Sequence, residues 1–173
     1  MSGSGSGHRR GAISVPGIIG IRSGARRLRR GSLVAAFLCL VAAASAAPPS
    51  PPIEILVGPH PIAVEIANDP AARAVGLMHR ASLPAEQGML FVFPDDRPVC
   101  MWMRNTRLPL SVAFVDASGV ILNLADMTPL SEKRHCSAGP VRYALEVNRG
   151  WFAERAISAG ERITRLDQVP AGH

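Results

Sequence analysis

The chain has 173 residues, 19 of them basic and 13 acidic, for a formal net charge of +6. Taken alone, that charge suggests a partner as anionic as nucleic acid or lipid. The distribution excludes this: seven basic and no acidic residues lie in the first 46 positions, so residue 47 onward carries 12 basic against 13 acidic side chains, a net of −1.

The N-terminal segment has the pattern of an export signal. The basic run "RRLRR" precedes the apolar run "LVAAFLCLVAAA" (33–44), and small residues follow at Ala44 and Ala46. The apolar run falls short of the ~20 residues a membrane span needs. Cleavage between Ala46 and Ala47 is expected, with no stable transmembrane span afterwards; an uncleaved anchor is the alternative. Arg29-Arg30 leaves the general secretory and twin-arginine routes both open, and the product is expected in the periplasm or outside the cell. Residues 1–46 thus read as a signal peptide with a basic extension. About 127 residues remain, the usual size of one domain. "APPSPP" opens a proline-stiffened linker assigned to 47–60, the globular domain is expected over 61–167, and 168–173 reads as a flexible tail.

Within the domain, "PIAVEIA" (61–67) alternates as a strand, with Ile62, Val64 and Ile66 on one face. A helix follows: Asp69 is a good N-cap, Pro70 suits the first turn, and Ala71, Ala74, Val75 and Met78 share a face. Gly76 either permits close packing or ends that helix early. "MLFVF" (89–93) is apolar throughout, as in a strand covered on both faces. Strands are predicted over 99–104, 111–116 and 120–126, with a type I turn at Asp116-Ala117-Ser118-Gly119. A polar loop (127–141) holds His135 and Cys136; "YALEV" (143–147) is a strand, 150–156 a short helix and 161–166 a last strand. Seven short strands and two short helices predict a mostly β (α+β) single domain, a compact, partly closed β-barrel-like sheet.

The segments "DPAARAVGLMHRASLP", "GMLFVFP", "CMWMRNTRLPLSVAFVDASG" and "GPVRYALEVNRGWFAE" occur in this order. In them the chain closely resembles the domain-of-unknown-function family 192, from about Ile62 to Leu166. The resemblance implies a small, mostly β fold, often exported. It implies no established activity, catalytic residue or cofactor. Arg104 stands where a lysine is common in such proteins.

No Gly-x-Ser-x-Gly, His-Glu-x-x-His, phosphate loop, Cys-x-x-Cys or EF-hand loop is present, and no cofactor is expected. Cys100 and Cys136 read first as a disulfide in an oxidising compartment; a metal site from Cys100, His135, Cys136 and His79 is the alternative. Met101 and Met103 read as core packers, with Cu(I) thioether ligation as the sharper possibility. If those methionines take the core, Cys100, Trp102 and Arg104 face the other way, and Trp102 is either a pocket wall or a core residue. Asn105 and Thr106 form a turn. Glu146 and Asn148 lie opposite Tyr143, Leu145 and Val147, either solvated or converging with Arg80, Asn105 and Asp116 in one polar pocket.

The first functional expectation is a non-catalytic, exported binding or accessory module of the cell envelope, monomeric, with a small molecule, an envelope component or a protein as partner and no nucleic acid. The alternatives are a hydrolase- or lyase-type enzyme using Asp116 and Glu146 with Arg80, and periplasmic copper handling.

Overall fold

The computed structural model of the protein describes residues 51–173. The expected export signal and the start of the linker lie outside the described residues. Nine strands form: β1 (Ile53–Val57), β2 (His60–Ala67), β3 (Gln87–Arg97), β4 (Cys100–Met101), β5 (Leu110–Val115), β6 (Ile121–Met127), β7 (His135–Cys136), β8 (Val141–Asn148) and β9 (Ile163–Thr164). Helix α1 (Pro70–Val75) follows β2 and helix α2 (Trp151–Glu154) follows β8. No helix among the described residues is long and apolar enough to cross a membrane.

Seven strands make one curled, half-barrel sheet in the order β6-β5-β8-β3-β2-β1-β9. All neighbours are antiparallel except β2 and β3. Parallel neighbours need a crossover of a dozen or more residues, and here it contains α1. β9 pairs with β1, while the segment leading into it reaches the start of β6: Val120 bridges Arg162, and the Ile163 amide donates to the Gly119 carbonyl at 2.7 Å. The two edges are thereby drawn together at one end.

Strand alternation divides the apolar side chains into two cores. The inner face carries Ile55, Val57, Ile62, Val64, Leu90, Val92, Ala113, Val115, Leu145, Val147 and Ile163, sealed by Trp151 and Phe152 of α2. The outer face of the β2-β3-β8-β5 half carries Ala67, Met89, Phe91, Phe93, Val112, Phe114 and Ala144, covered by Leu77, Leu83, Val99, Met103 and Leu108. "MLFVF" is therefore apolar at every position because one alternate set faces each core.

The structure departs from the expected boundaries in physically understandable ways. Residues 53–57, assigned to the linker, are β1: Glu54 and Pro51-Pro52 mask a strand whose Ile55 and Val57 are fully buried. The expected tail (168–173) is tied back, the Asn68 amide donating to the Ala171 carbonyl at 3.0 Å and Arg73 to that of His173 at 2.7 Å. The strand expected over 99–104 is only two residues long, because the Met103 amide turns to the Ser131 carbonyl. β4 pairs with β7 as a separate ribbon, joined by the Cys100–Cys136 disulfide. A cross-link closing a loop of 36 residues restricts the unfolded chain enough to contribute roughly 3–4 kcal/mol.

Gly119 sits at φ +87, and a Cβ there would lie 2.5 Å from the Ile163 carbonyl oxygen, at the contact that draws the sheet edges together. Gly119→Ala should lower stability by at least about 2 kcal/mol, since strain and clash add, measured as a shift in the urea midpoint; an unchanged midpoint would show that edge closure contributes little.

Candidate functional site

One row of side chains crosses the outer face at the level of Glu65 on β2, Met89 on β3, Glu146 on β8 and Val112 on β5, because directly opposed residues share a face. Glu146 is 4 % exposed. Burial alone pushes its carboxyl up to about 8, and no hydrogen bond from a described residue opposes that. No buried side-chain oxygen among the described residues is both sealed and without a partner, so the Glu146 carboxyl opens into the cavity that it lines.

That cavity measures about 170 Å³. Its deep wall is Leu77, Phe91, Phe93, Val99, Thr106 and Glu146, all buried; Arg73, Ala74, Val75 and Trp102 border it nearer the surface. α1 supplies the roof. Asp69 caps the helix by accepting from the Ala72 amide at 2.8 Å, Pro70 occupies the first turn, and the chain leaves at Gly76 with φ +49. A Cβ on Gly76 would come within 3.0 Å of the Phe91 ring, so glycine both ends the helix and lets the roof approach β3. The helix buries none of its residues; of the apolar face expected from Ala71, Ala74, Val75 and Met78, the last three border the cavity instead of the core, Ala71 is exposed, and Val75 is 57 % exposed.

The stretch 100–106 supplies the side wall. Met103 is fully buried and Met101 packs on the outer core, while Trp102 is 44 % exposed with the Arg104 guanidinium 5.8 Å from its ring centroid. Trp102 borders the cavity and Met103 lies in the core, but Met101 parts from Met103 and borders the cavity with Cys100 and Trp102, because the strand ends at Met101. Thr106 is buried: its amide donates to the Met103 carbonyl, and its carbonyl accepts from the Leu130 amide at 2.9 Å. Asn105 adopts φ +57, and its carbonyl accepts from the His79 amide at 3.0 Å. Its side chain lies beside Met78 at the cavity margin.

Of the candidate ligand-binding residues, the fold brings Trp102, Thr106 and Glu146 together, with Asn105 and Arg104 nearby; of the expected polar pocket only Glu146 lines the cavity. Arg80 is not a free donor: it makes a two-point ion pair with Glu65, one arm at 2.6 Å. That hydrogen bonding holds the Glu65 carboxyl below and the Arg80 guanidinium above their ordinary values. Asp116 is elsewhere, four residues along β5 from the partner of Glu146, about 13 Å by strand rise. Burial raises its carboxyl, but hydrogen bonds from Ser118 and Val120 prevail and hold it below the usual range; its work is to fix the 116–120 turn. Asn148 donates to the Leu83 and Pro84 carbonyls at 3.0 and 3.2 Å and pins the loop above the outer core. Of the metal candidates, His135 lies opposite Met101 in the β4-β7 ribbon, its imidazole lowered by burial and then by Lys133. His79 is exposed, Met103 is sealed in the core, and the disulfide leaves no thiolate. No cluster of three His, Cys, Asp or Glu residues that could hold a metal occurs among the described residues.

Arg73, Ala74, Gly76, Leu77, Phe91, Phe93 and Val99 were not expected at a site. The signal for two of them was present: alternation along "MLFVF" puts Met89, Phe91 and Phe93 on one face, and Glu146 pairs across from Met89.

A small, curled β half-barrel with a cavity on its covered outer face is the class of protein this architecture defines. The chain belongs to domain-of-unknown-function family 192 (DUF192), described as an uncharacterized ACR, whose family model matches residues 53–165. Two crystal structures are similar. One is a Sinorhizobium meliloti protein designated a candidate transcription regulator, 38% identical, with a TM-score of 0.61, over 64% of this chain and 89% of that one. The other is a Novosphingobium aromaticivorans protein of unknown function, 32% identical, with a TM-score of 0.63, over 69% and 94%. No curated protein matches.

Two outcomes test the site's physical description. Below its ordinary value of 4.5, Glu146 holds its proton folded or unfolded. As pH rises from there toward about 8, only the unfolded chain releases it, so stability falls by up to about 1.4 kcal/mol per pH unit and levels off above the folded value. Urea midpoints between pH 5 and 8 should fall for the wild type and fall much less for Glu146→Gln; parallel profiles would place the carboxyl in water. Separately, Met103→Ala should cost roughly 2–5 kcal/mol and Trp102→Ala no more than about 2 kcal/mol, by calorimetry; the reverse order would return Trp102 to the core.

Proposed function

We propose that this protein is an exported, non-catalytic binding module of the cell envelope, and that its ligand seat is the cavity over Glu146. One observation carries the reading: a cavity of about 170 Å³ whose deep wall is apolar except for a buried carboxyl and a hydroxyl, the usual composition of a small-molecule site. A buried polar group without a partner costs stability, and a ligand offering a hydrogen bond removes that cost.

Export is supported by the basic-then-apolar segment ending in Ala44 and Ala46, and by the Cys100–Cys136 disulfide, a bond that persists in oxidising compartments. The regulator designation of the S. meliloti protein finds no counterpart in charge, since nucleic-acid affinity draws on a surplus of Lys and Arg and residue 47 onward has 12 basic against 13 acidic side chains. The hydrolase or lyase reading is weakened by the separation of its groups: Asp116 fixes a turn and Arg80 is engaged by Glu65. The copper reading is weakened because Met103 is buried away from the cavity that Met78 and Met101 line.

Native mass spectrometry of the protein isolated from its own compartment tests both halves. The expected result is an N-terminus at Ala47 and a co-purifying small mass that is lost in Ala74→Trp, which fills the cavity mouth from an exposed helix position. Retention of residues 1–46 would contradict cleavage of the export signal, and a bound mass fully retained by Ala74→Trp would contradict the seat.

A further inference from the structure

The cavity over Glu146 has a charge pattern that narrows its ligand. Arg73 borders the cavity, and guanidinium groups lie over two of the aromatic rings that line it: Arg104 over Trp102 at 5.8 Å, and Arg73 and Arg97 over Phe93 at 5.8 and 5.4 Å. One of these charges, Arg104, has no carboxylate within ion-pair distance among the described residues. Arg73 is engaged by the backbone oxygens of Asn68, Val92 and the last residue, His173, and Arg97 faces Asp95 at 3.5 Å, exposed to water. Stacked guanidinium groups are held in place with donors to spare, the arrangement that suits carboxylate recognition.

The depth of the cavity has the opposite character. Leu77, Phe91 and Val99 offer an apolar slot, and Glu146 is the one acidic residue of the lining. A carboxyl kept neutral by burial does not repel an anion at the mouth, and its O–H can donate to a ligand oxygen as well as accept from a ligand hydroxyl. The volume is of the order of the ~150 Å³ that holds one benzene ring.

Resting on the reading of this cavity as a ligand seat, we infer that it takes a small organic acid. The carboxylate lies at the mouth against Arg104, a ring or short chain fills the slot, and a hydroxyl or carbonyl at the far end meets Glu146. A ligand cation of the same size is disfavoured, since its charge would pass the guanidinium groups at the mouth.

The Met78 and Met101 side chains line the cavity, so their ¹³C-labelled methyls report occupancy by NMR. With 4-hydroxybenzoate, benzoate and benzylamine as probes at pH 7, both methyls should shift, and 4-hydroxybenzoate should bind about tenfold more tightly than benzoate, and benzoate about tenfold more tightly than benzylamine, the factor one well-formed hydrogen bond or charge contact contributes. Glu146→Leu should erase the preference for 4-hydroxybenzoate over benzoate, and Arg104→Gln the preference for benzoate over benzylamine. Benzylamine binding tightest, with both methyls moving, would overturn the organic-acid assignment and leave the cavity as a seat. Methyls that move with none of the three would contradict the seat itself.

Discussion

Covering both faces of a sheet leaves no water-accessible side on which to leave a carboxylate, and Glu146 occupies one of the two covered faces. On β8 the inner alternate set, Leu145 and Val147, fills the half-barrel; the outer set must then lie under α1, the 77–86 loop and the 98–109 segment. A glutamate in that position has two physical resolutions: keep its proton, or find a cation. Glu65, in the same row two strands away, follows the second course with Arg80. Glu146 follows the first. The contrast within one row separates a structural ion pair from a polar group left for something else to meet.

Much of the surrounding structure keeps that carboxyl dry yet reachable. Gly76 lets the end of α1 settle against Phe91 without sealing the cavity, and Asn148 holds the covering loop through two carbonyls. The disulfide anchors the β4-β7 ribbon beside Trp102, and Asn105 turns the chain so that Thr106 reaches the cavity wall. Together these residues shape the wall of the cavity over Glu146. Family 192 membership is matched by a fold similar to those of the S. meliloti and N. aromaticivorans proteins.

The parts of this architecture that depend on local rules were readable from the sequence. Period-two alternation placed Glu146 opposite Leu145, because strand geometry fixes sidedness without knowledge of the partner strand; it did not carry over to 101–103, where the strand ends and Met101 borders the cavity with Trp102. Asp69 and Pro70 announced α1 by cap chemistry. What the sequence could not show was which face a distant segment would cover. Glu146 therefore read as either solvated or part of a polar pocket, Asp116 and Arg80 read as its companions in that pocket although one fixes a turn and the other is held by Glu65, and β1 read as linker because its partners, His60–Val64 and Ile163–Thr164, lie partly a hundred residues away. The second core, and with it the cavity, is a product of long-range packing.

The protonation state of Glu146 in the folded protein is the most direct measure of whether the outer face is a dry, covered site. A ¹³C NMR titration of its side-chain carboxyl, assigned by comparison with Glu146→Gln, should give a midpoint near 8 in the ligand-free protein. A midpoint near the ordinary 4.5 would mean that water reaches the carboxyl freely, and that the cavity over it is open surface.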